Sequence, residues 1–262
     1  MNPLANTPHT AGDNPPQTID DVIAALDEII AQCIKNQSAL GYFAALYQKV
    51  TKQVKHGIET GIFDDGPRME KLDVIFASRY IDAYYEHQNG VAPTKSWQLA
   101  FSIADDYWPI VLQHLLIGMN AHINLDLGIS AAQTMRGGDI NELKEDFDRI
   151  NQVLSELVEE VEQNLATIWP MLHKLLKLAG NIDNLLADFS MELARDGAWR
   201  FAVKLADSEN SADWPSLIAE KDRKVTKVGK LVTHPPLLVA SAFKVIRVGE
   251  RGTVVDKINA LN

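Results

Sequence analysis

The chain has 262 residues, of which 46% are hydrophobic and 23% are charged, so it can form one large domain or two small ones with a sizeable core. Its formal net charge of -10 argues against a nucleic-acid partner, whose phosphates require a basic face, and against docking on an anionic membrane. The single cysteine, Cys33, excludes an internal disulfide and a cysteine-rich zinc site, and it is typical of a reducing compartment.

The first part of the chain, residues 1–18, is rich in Pro, Asn and Thr, and we expect it to be a disordered arm. It lacks both the basic segment and the apolar segment of a secretory signal. No apolar run in the chain reaches the roughly 18 residues that a membrane span requires. The sequence therefore predicts a cytoplasmic protein without a membrane span.

Helix signals begin directly after this arm. Thr18 followed by Asp21 predicts a capped helix start, and the first helix should end near Asn36. A second helix follows Ser38, and a third is predicted from Arg68 to Gln88, with Pro67 suited to its first position.

The third helix carries polar residues close to the edge of its apolar stripe. Two arrangements are open: Arg79 pairs with Asp82 along one side, or Asp73 and Arg79 face the centre of the protein. Tyr80 lies beside them in the sequence. A fourth helix, with Ser96 as a candidate cap, should then carry Trp97 up to the break at 108–109.

The clearest periodicity in the chain covers residues 139–168, where apolar residues recur at steps of three and four for about eight turns. Further helices are predicted at 171–178, 184–205, 215–231 and 235–246. The glycine-punctuated residues 249–262 are predicted to be a C-terminal tail with a short extended piece. The predicted fold is therefore all-α: one helical domain over residues 19–248, built around the long helix at 139–168.

The stretch Gly118–Leu127 places polar side chains inside an apolar run, so these side chains need partners. His122 and Asp126 are four residues apart and share one face of a helix. Three uses of the pair are open: both bind a metal, Asp126 orients His122 as a base, or the two share a structural hydrogen bond. His114 lies two turns upstream and is a candidate third ligand for a single divalent metal ion.

As a working hypothesis, the protein is an enzyme that acts on a small molecule in an interior pocket, with His122 and Asp126 as catalytic residues. The residues expected to position the substrate or to support the pair are Asn120, Asp73, Arg79 and Tyr80. Arg195 and Trp199 are expected to close the pocket by an ion pair and a wall. The alternative is a non-catalytic helical protein that binds an apolar ligand or a partner protein. The sequence contains no nucleophile elbow, phosphate-binding glycine loop or dinucleotide fingerprint.

Several blocks of this pattern occur together: Phe63-Asp64, Leu72-Asp73, Phe76-Ala77, Arg79-Tyr80, Trp97 with Phe101, residues 116–127, Asp146 with Asn151, and Arg195 with Ala198-Trp199. Over residues 35–232 the chain resembles a bacterial family catalogued as a domain of unknown function (number 5995). That resemblance brings no established activity. It implies that the polar residues of these blocks belong to one helical unit and converge.

A looser local similarity links the His-x-x-x-Asp pattern to the zinc-dependent phospholipase C and single-strand nuclease superfamily. That superfamily has further histidines shortly after the aspartate and a downstream His-x-x-x-Glu, which this chain lacks. Its N-terminal tryptophan ligand is also missing. The similarity therefore argues against a trinuclear zinc site and leaves a single-metal site open.

Overall fold

The computed structural model describes residues 15–150, 168–169, 191–208 and 211–262. Within these ranges the chain is helical with connecting turns and contains no strand, and it forms a single domain. The all-α fold predicted from the sequence is confirmed.

The helices are α1 (Ile19–Asn36), α2 (Gly41–Glu59), α3 (Gly66–Gln88), α4 (Lys95–Ser102), α5 (Val111–Ala121), α6 (Leu127–Thr134), α7 (Met191–Ala206), α8 (Trp214–Thr233), α9 (Leu237–Gly249) and α10 (Val254–Leu261). A π-helical turn, His122–Asp126, joins α5 to α6, and 3₁₀ turns cover Ile140–Leu143 and Ser211–Asp213. The main core lies between α1, α2, α3, α4 and α5.

Local sequence chemistry explains the helix starts in the first third of the chain. The hydroxyl of Thr18 accepts the N–H of Asp21, and the carboxylate of Asp21 accepts the N–H of Thr18, which is the predicted capping box. The first helix ends at Asn36 as predicted. Asp65 caps α3 by accepting the N–H of Arg68.

The start of α4 is held from a distant part of the chain. The carboxylate of Asp222 in α8 accepts the N–H groups of Lys95 and Ser96 at 2.8 and 2.9 Å. The expected cap by Ser96 is therefore wrong, since Ser96 lies inside the helix and Thr94 precedes it. The first N–H groups of α4 thus find their acceptor in a side chain 126 residues away in the sequence and not in a neighbouring residue.

The rod formed by α5, the π-helical turn and α6 crosses the centre of the domain. The N–H of Leu127 donates to the carbonyl of His122, five residues earlier, and this bond defines the wide turn. Two glycines allow neighbours to approach: a Cβ at Gly118 would lie 2.5 Å from Cδ2 of Phe43, and one at Gly128 would lie 2.7 Å from the carbonyl oxygen of Ala198. α2 and α7 can therefore pack directly on the rod.

Only the beginning of the predicted long helix at 139–168 can be compared with the structure. It starts with the 3₁₀ turn Ile140–Leu143, and residues 144–150 are helical. Residues 151–167 lie outside the described part of the chain, as do 1–14 of the predicted N-terminal arm, the predicted helix at 171–178 and the first residues of the predicted helix at 184–205.

The predicted extended piece at the start of the C-terminal tail, 249–255, is correct only in part: Glu250 and Thr253 have extended backbone angles, but Val254 and Val255 are helical. Val254–Leu261 is a helix with its own capping box between Thr253 and Asp256. Ile258 and Leu261 are buried in the core beside α1 and α2. These residues are therefore part of the helical domain. Their capping box and two buried side chains stabilise a helix that is too short to show a clear periodicity in the sequence.

Within the described ranges, no single helix has the length and apolar composition to cross a membrane. α8 and α9 meet those two criteria only when taken together, and they are bent by 63° at the break between them.

Candidate functional site

A cavity opens between α2, α3 and the central rod. Its empty volume is about 790 Å³ when the open solvent space at its mouth is included. Its lining among the described residues is mostly aliphatic and aromatic: Phe43, Leu46, Tyr47, Val50, Val54, Met69, Leu72, Phe76, Met119, Ile123, Leu127 and Ile150. Three polar side chains share this wall, namely Asp73, His122 and Arg195.

Asp126 is the anchor behind the cavity wall. Its carboxylate is fully buried and accepts the Nε–H of Arg79 and the indole N–H of Trp97, each at 2.8 Å. His122 Nδ1 is 3.4 Å from the same carboxylate. Burial opposes ionisation, but Arg79, His122 and Trp97 together hold the pKa of Asp126 below its ordinary value. Asp126 is therefore a carboxylate whose two oxygens are already engaged.

The imidazole of His122 is packed between aromatic rings. It stacks on Phe76 with a centroid distance of 3.6 Å and an interplanar angle of 7°, and Tyr47 meets it edge-on at 4.4 Å. Burial lowers its pKa, and the hydrogen bond and charge of Asp126 only partly offset this effect. His122 is therefore neutral near pH 7.

The neighbours of His122 also fix which nitrogen carries the proton. An ionised carboxylate can only accept hydrogen bonds, so Nδ1 must be the donor toward Asp126. In a neutral imidazole this leaves Nε2 as an acceptor. Nε2 is buried and has no hydrogen-bond partner in the described part of the chain. A buried acceptor without a partner, on the wall of a cavity, is available to a bound molecule.

Asp73, on α3, is in the opposite state to Asp126. No cation among the described residues pairs with its side chain, and burial, with a smaller effect of the Glu70 charge, raises its pKa to about 8. Its Oδ2 has no partner among the described residues. At neutral pH, Asp73 is therefore mainly a protonated carboxyl group, which can both donate and accept a hydrogen bond at the cavity wall.

The structure does not bring His114 to the pair. Its ring packs edge-on against Tyr42 at 5.4 Å, and burial, followed by the charges of Arg247 and Lys257, lowers its pKa to about 3. The described residues contain no group of three His, Cys, Asp or Glu side chains that is arranged to hold a metal ion. The set His114, His122 and Asp126 is thus not assembled as a metal site.

The partners of Asp126 also disfavour a metal at the pair. The guanidinium group of Arg79 already neutralises the carboxylate at 2.8 Å, and a second cation beside it would be repelled. Two further aspartates are also engaged by other groups: Asp146 accepts the N–H groups of Asp64 and Asp65 and pairs with Arg68. Asp148 pairs with Lys144 at the surface. The donors in the described part of the chain do not fit a metal centre.

The remaining predicted site residues divide into two groups. Arg79 faces the centre, and Arg195 is buried in the cavity lining. Tyr80 is fully buried against Phe43 and Trp97 and lies behind the lining.

Asn120 and Trp199 serve the packing of the helices instead. The amide of Asn120 donates to the carbonyl of Val225 and accepts from Asn124, which ties α5 to α8. Trp199 packs against Phe147 under the ammonium group of Lys144, outside the cavity lining.

Apart from Tyr80, sequence reasoning missed the aromatic residues around His122. Phe43 and Tyr47 on α2 are four residues apart, and Phe76 and Tyr80 on α3 repeat that spacing, so each pair shares one helix face. All four contact the imidazole ring, with Phe43 at 5.8 Å and Tyr80 at 6.2 Å. The repeated four-residue spacing was the sequence feature that could have indicated these aromatic residues.

Comparison with known proteins gives one positive result. No curated protein and no solved structure matches the chain. A family model described as "Family of unknown function (DUF5995)" matches residues 19–235, which include all the residues of the His122 and Asp126 site. The chain belongs to this family of unknown function.

Proposed function

We propose that this protein binds a largely apolar small molecule in the cavity, and that a hydrogen-bond donor of the ligand meets Nε2 of His122. Small-molecule sites are concave and mostly apolar, with a few placed polar groups. The cavity described here has that composition.

The observation that carries the proposal is that His122 lines the cavity and that its buried Nε2 has no hydrogen-bond partner among the described residues. Asp126, Arg79 and Trp97 fix the proton on Nδ1, and the stacked ring of Phe76 fixes the plane of the imidazole. A buried acceptor without a partner costs about 1–3 kcal/mol. A ligand that supplies a donor removes this cost, and its apolar part gains from the aliphatic walls.

Binding can be tested with N-phenyl-1-naphthylamine, a neutral fluorescent dye that has a single N–H donor. We expect saturable binding to the wild type. His122→Phe keeps a flat ring against Phe76 but removes Nε2, and it should weaken binding about tenfold, the value of one net hydrogen bond. Ile123→Trp should fill the cavity and abolish binding.

The matched control is His87→Phe, which replaces a histidine that packs on Phe101 outside the cavity. It should bind like the wild type. Circular dichroism and denaturation must show that each variant is folded. No saturable binding by the wild type, or equal binding by Ile123→Trp, would contradict the proposal.

Catalysis is the second candidate function, and one observation favours it. A carboxylate that orients the Nδ1–H of a histidine leaves Nε2 as a general base, here on a residue that lines the same cavity. As a working test, p-nitrophenyl octanoate offers an apolar chain and a hydrolysable ester. Turnover that is lost in both His122→Phe and Ile123→Trp would support an enzyme, whereas binding without turnover leaves the binding function alone. The cytoplasmic location stays a prediction.

A further inference from the structure

The outer face of α9 is apolar and exposed. Leu237, Leu238, Val245 and Val248 are 87, 76, 58 and 74% exposed. At 100° per residue these four side chains, with Ser241 and Lys244, occupy one continuous arc of about 120°. The exposed aliphatic groups thus form one surface, which we call the α9 face.

The opposite side of the same helix already anchors it. Val239, Phe243 and Ile246 are buried. Within the described part of the chain the α9 face is therefore not used for packing, and a helix that is apolar on both sides is not expected on a surface that meets only water.

Two exposed aromatic residues lie beside the α9 face. The ammonium group of Lys244 lies 5.4 Å from the ring centroid of Trp108, and the guanidinium group of Arg247 lies 4.8 Å from that of Tyr107. Trp108 and Tyr107 are 50 and 64% exposed. Rings of this kind, beside cationic groups, are suited to the boundary between lipid headgroups and acyl chains.

The local charge is opposite to that of the whole chain. Residues 223–249 contain six lysines and arginines and no aspartate or glutamate, whereas the chain carries a net charge of -10. On the outer face of α8, Arg223, Lys224, Lys227 and Lys230 are exposed.

The acids nearest in the sequence cancel part of this charge. Glu220 pairs with Lys224 at 2.6 Å, and Glu250, whose side chain is 4% exposed, pairs with Arg247 and Lys257. Asp105 and Asp106 are exposed in the loop before Tyr107, and they are the acidic groups that adjoin the aromatic pair. The basic character of the α8 and α9 surface therefore comes from the exposed Arg223, Lys227, Lys230 and Lys244.

We propose that the α9 face, with Trp108, docks this protein on the surface of an anionic lipid bilayer. The aliphatic side chains enter the headgroup region, and the lysines of α8 and α9 meet the lipid phosphates. A second copy of the chain is a poorer partner, because it would bring a like-charged rim against this one. The net charge of the chain argued against such docking. Salt screens exposed charges that lie more than about 10 Å apart, so the charge of the docking surface matters more than the charge of the whole chain.

Co-sedimentation with large unilamellar vesicles tests this proposal without use of the cavity. We expect binding of the full chain to vesicles of phosphatidylglycerol and phosphatidylcholine, weaker binding at high salt, and little binding to phosphatidylcholine alone. Lys244→Gln should weaken binding about fivefold, the effect of one cation near an anionic surface. Leu238→Glu combined with Val248→Glu should abolish binding.

The matched control is Val91→Glu, which adds a charge at another exposed valine, 55% exposed in the loop after α3. It should retain vesicle binding. The proposal is overturned if the wild type does not bind anionic vesicles at low salt, or if the double variant binds as well as the wild type. It is also overturned if light scattering shows a dimer that the double variant disrupts, since the α9 face would then belong to a second copy.

Discussion

Asp126 and Asp146 are two buried aspartates whose charges are neutralised by arginines, but the two carboxylates have different roles. Asp146 accepts two backbone N–H groups and pairs with Arg68 and Arg149, and Arg149 is 33% exposed. Asp126 is held by Arg79 and by Trp97, which is 1% exposed.

The difference lies in what each carboxylate leaves open. The partners of Asp146 close a loop onto a helix near the surface. Asp126 instead directs a third partner, His122, which lines the cavity and whose Nε2 has no partner among the described residues. The same pairing chemistry thus stabilises a fold in one place and presents an acceptor in the other.

The largest expected effect comes from removing each carboxylate charge in turn. Asp126→Asn leaves Arg79, which is 23% exposed, without its counter-charge, and Asp146→Asn does the same to Arg68, which is 18% exposed. Each variant should lower the free energy of unfolding by about 3 kcal/mol, at the low end for a broken buried pair because each arginine keeps some contact with water. Urea denaturation measures both. A loss well below about 1 kcal/mol at either site would show that its ion pair does not stabilise the fold.

Asp73 extends the comparison to a carboxyl group without any arginine. Because its pKa rises from 3.8 to about 8, the folded state binds one more proton than the unfolded state between those values. Stability from this group is thus complete below pH 4 and is lost as the pH rises toward 8.

Asp73→Asn should remove that dependence. Relative to the wild type, the variant should gain up to about 1.4 kcal/mol per pH unit between pH 5 and 8, as measured by denaturation at each pH. The effect of Asp146 has the opposite sign, because its pKa is lowered: its stabilisation is present above pH 4 and is lost as the pH falls. A flat difference between Asp73→Asn and the wild type would mean that Asp73 is ionised in the fold.

Trp97→Phe isolates one hydrogen bond to Asp126 while it keeps most of the aromatic packing. A hydrogen bond to a charged group contributes about 1.5–3 kcal/mol, so a loss in that range is expected. The variant should also raise the pKa of Asp126, which nuclear magnetic resonance of the carboxyl carbon reports. A stability loss without that pKa change would assign the effect of Trp97 to packing alone.

Asp222→Asn gives the smallest expected effect, about 1 kcal/mol, which is typical of the loss of a helix cap. The carboxylate of Asp222 accepts the first N–H groups of α4, much as Asp146 accepts those of Asp64 and Asp65. Lys224→Gln, on the exposed side of α8, is its control and should be neutral. A loss far above 1 kcal/mol would indicate that α4 and α8 separate.

Features set by neighbours in the sequence were predictable, and features set by distant contacts were not. The Thr18 and Asp21 capping box and the end of α1 at Asn36 follow from local chemistry. The equivalent box at Thr253 was present in the sequence but was missed, because only two turns of helix follow it. The use of Asp222 as a cap depends on a contact between α4 and α8 that no local pattern encodes.

In the candidate site, too, local spacing was predictable from the sequence and contacts between helices were not. The spacing of His122 and Asp126 indicated a pair, and the structure places the two side chains in contact. Whether Arg79 would face Asp126 or the surface was left open by the helix pattern, because it depends on how α3 is rotated against the central rod. His114 was considered as a ligand on helix geometry alone, and its packing against Tyr42 on another helix decided otherwise.

The π-helical turn at His122–Asp126 also fixes how the central rod is shared between its neighbours. α5 packs against α8, whereas α6 packs against α7. If the same residues formed an uninterrupted α-helix, α6 would be turned by about 100° relative to α5. The apolar side of α6 would then no longer meet α7, so the wide turn works as a fixed angular offset that lets one continuous helix serve two different interfaces.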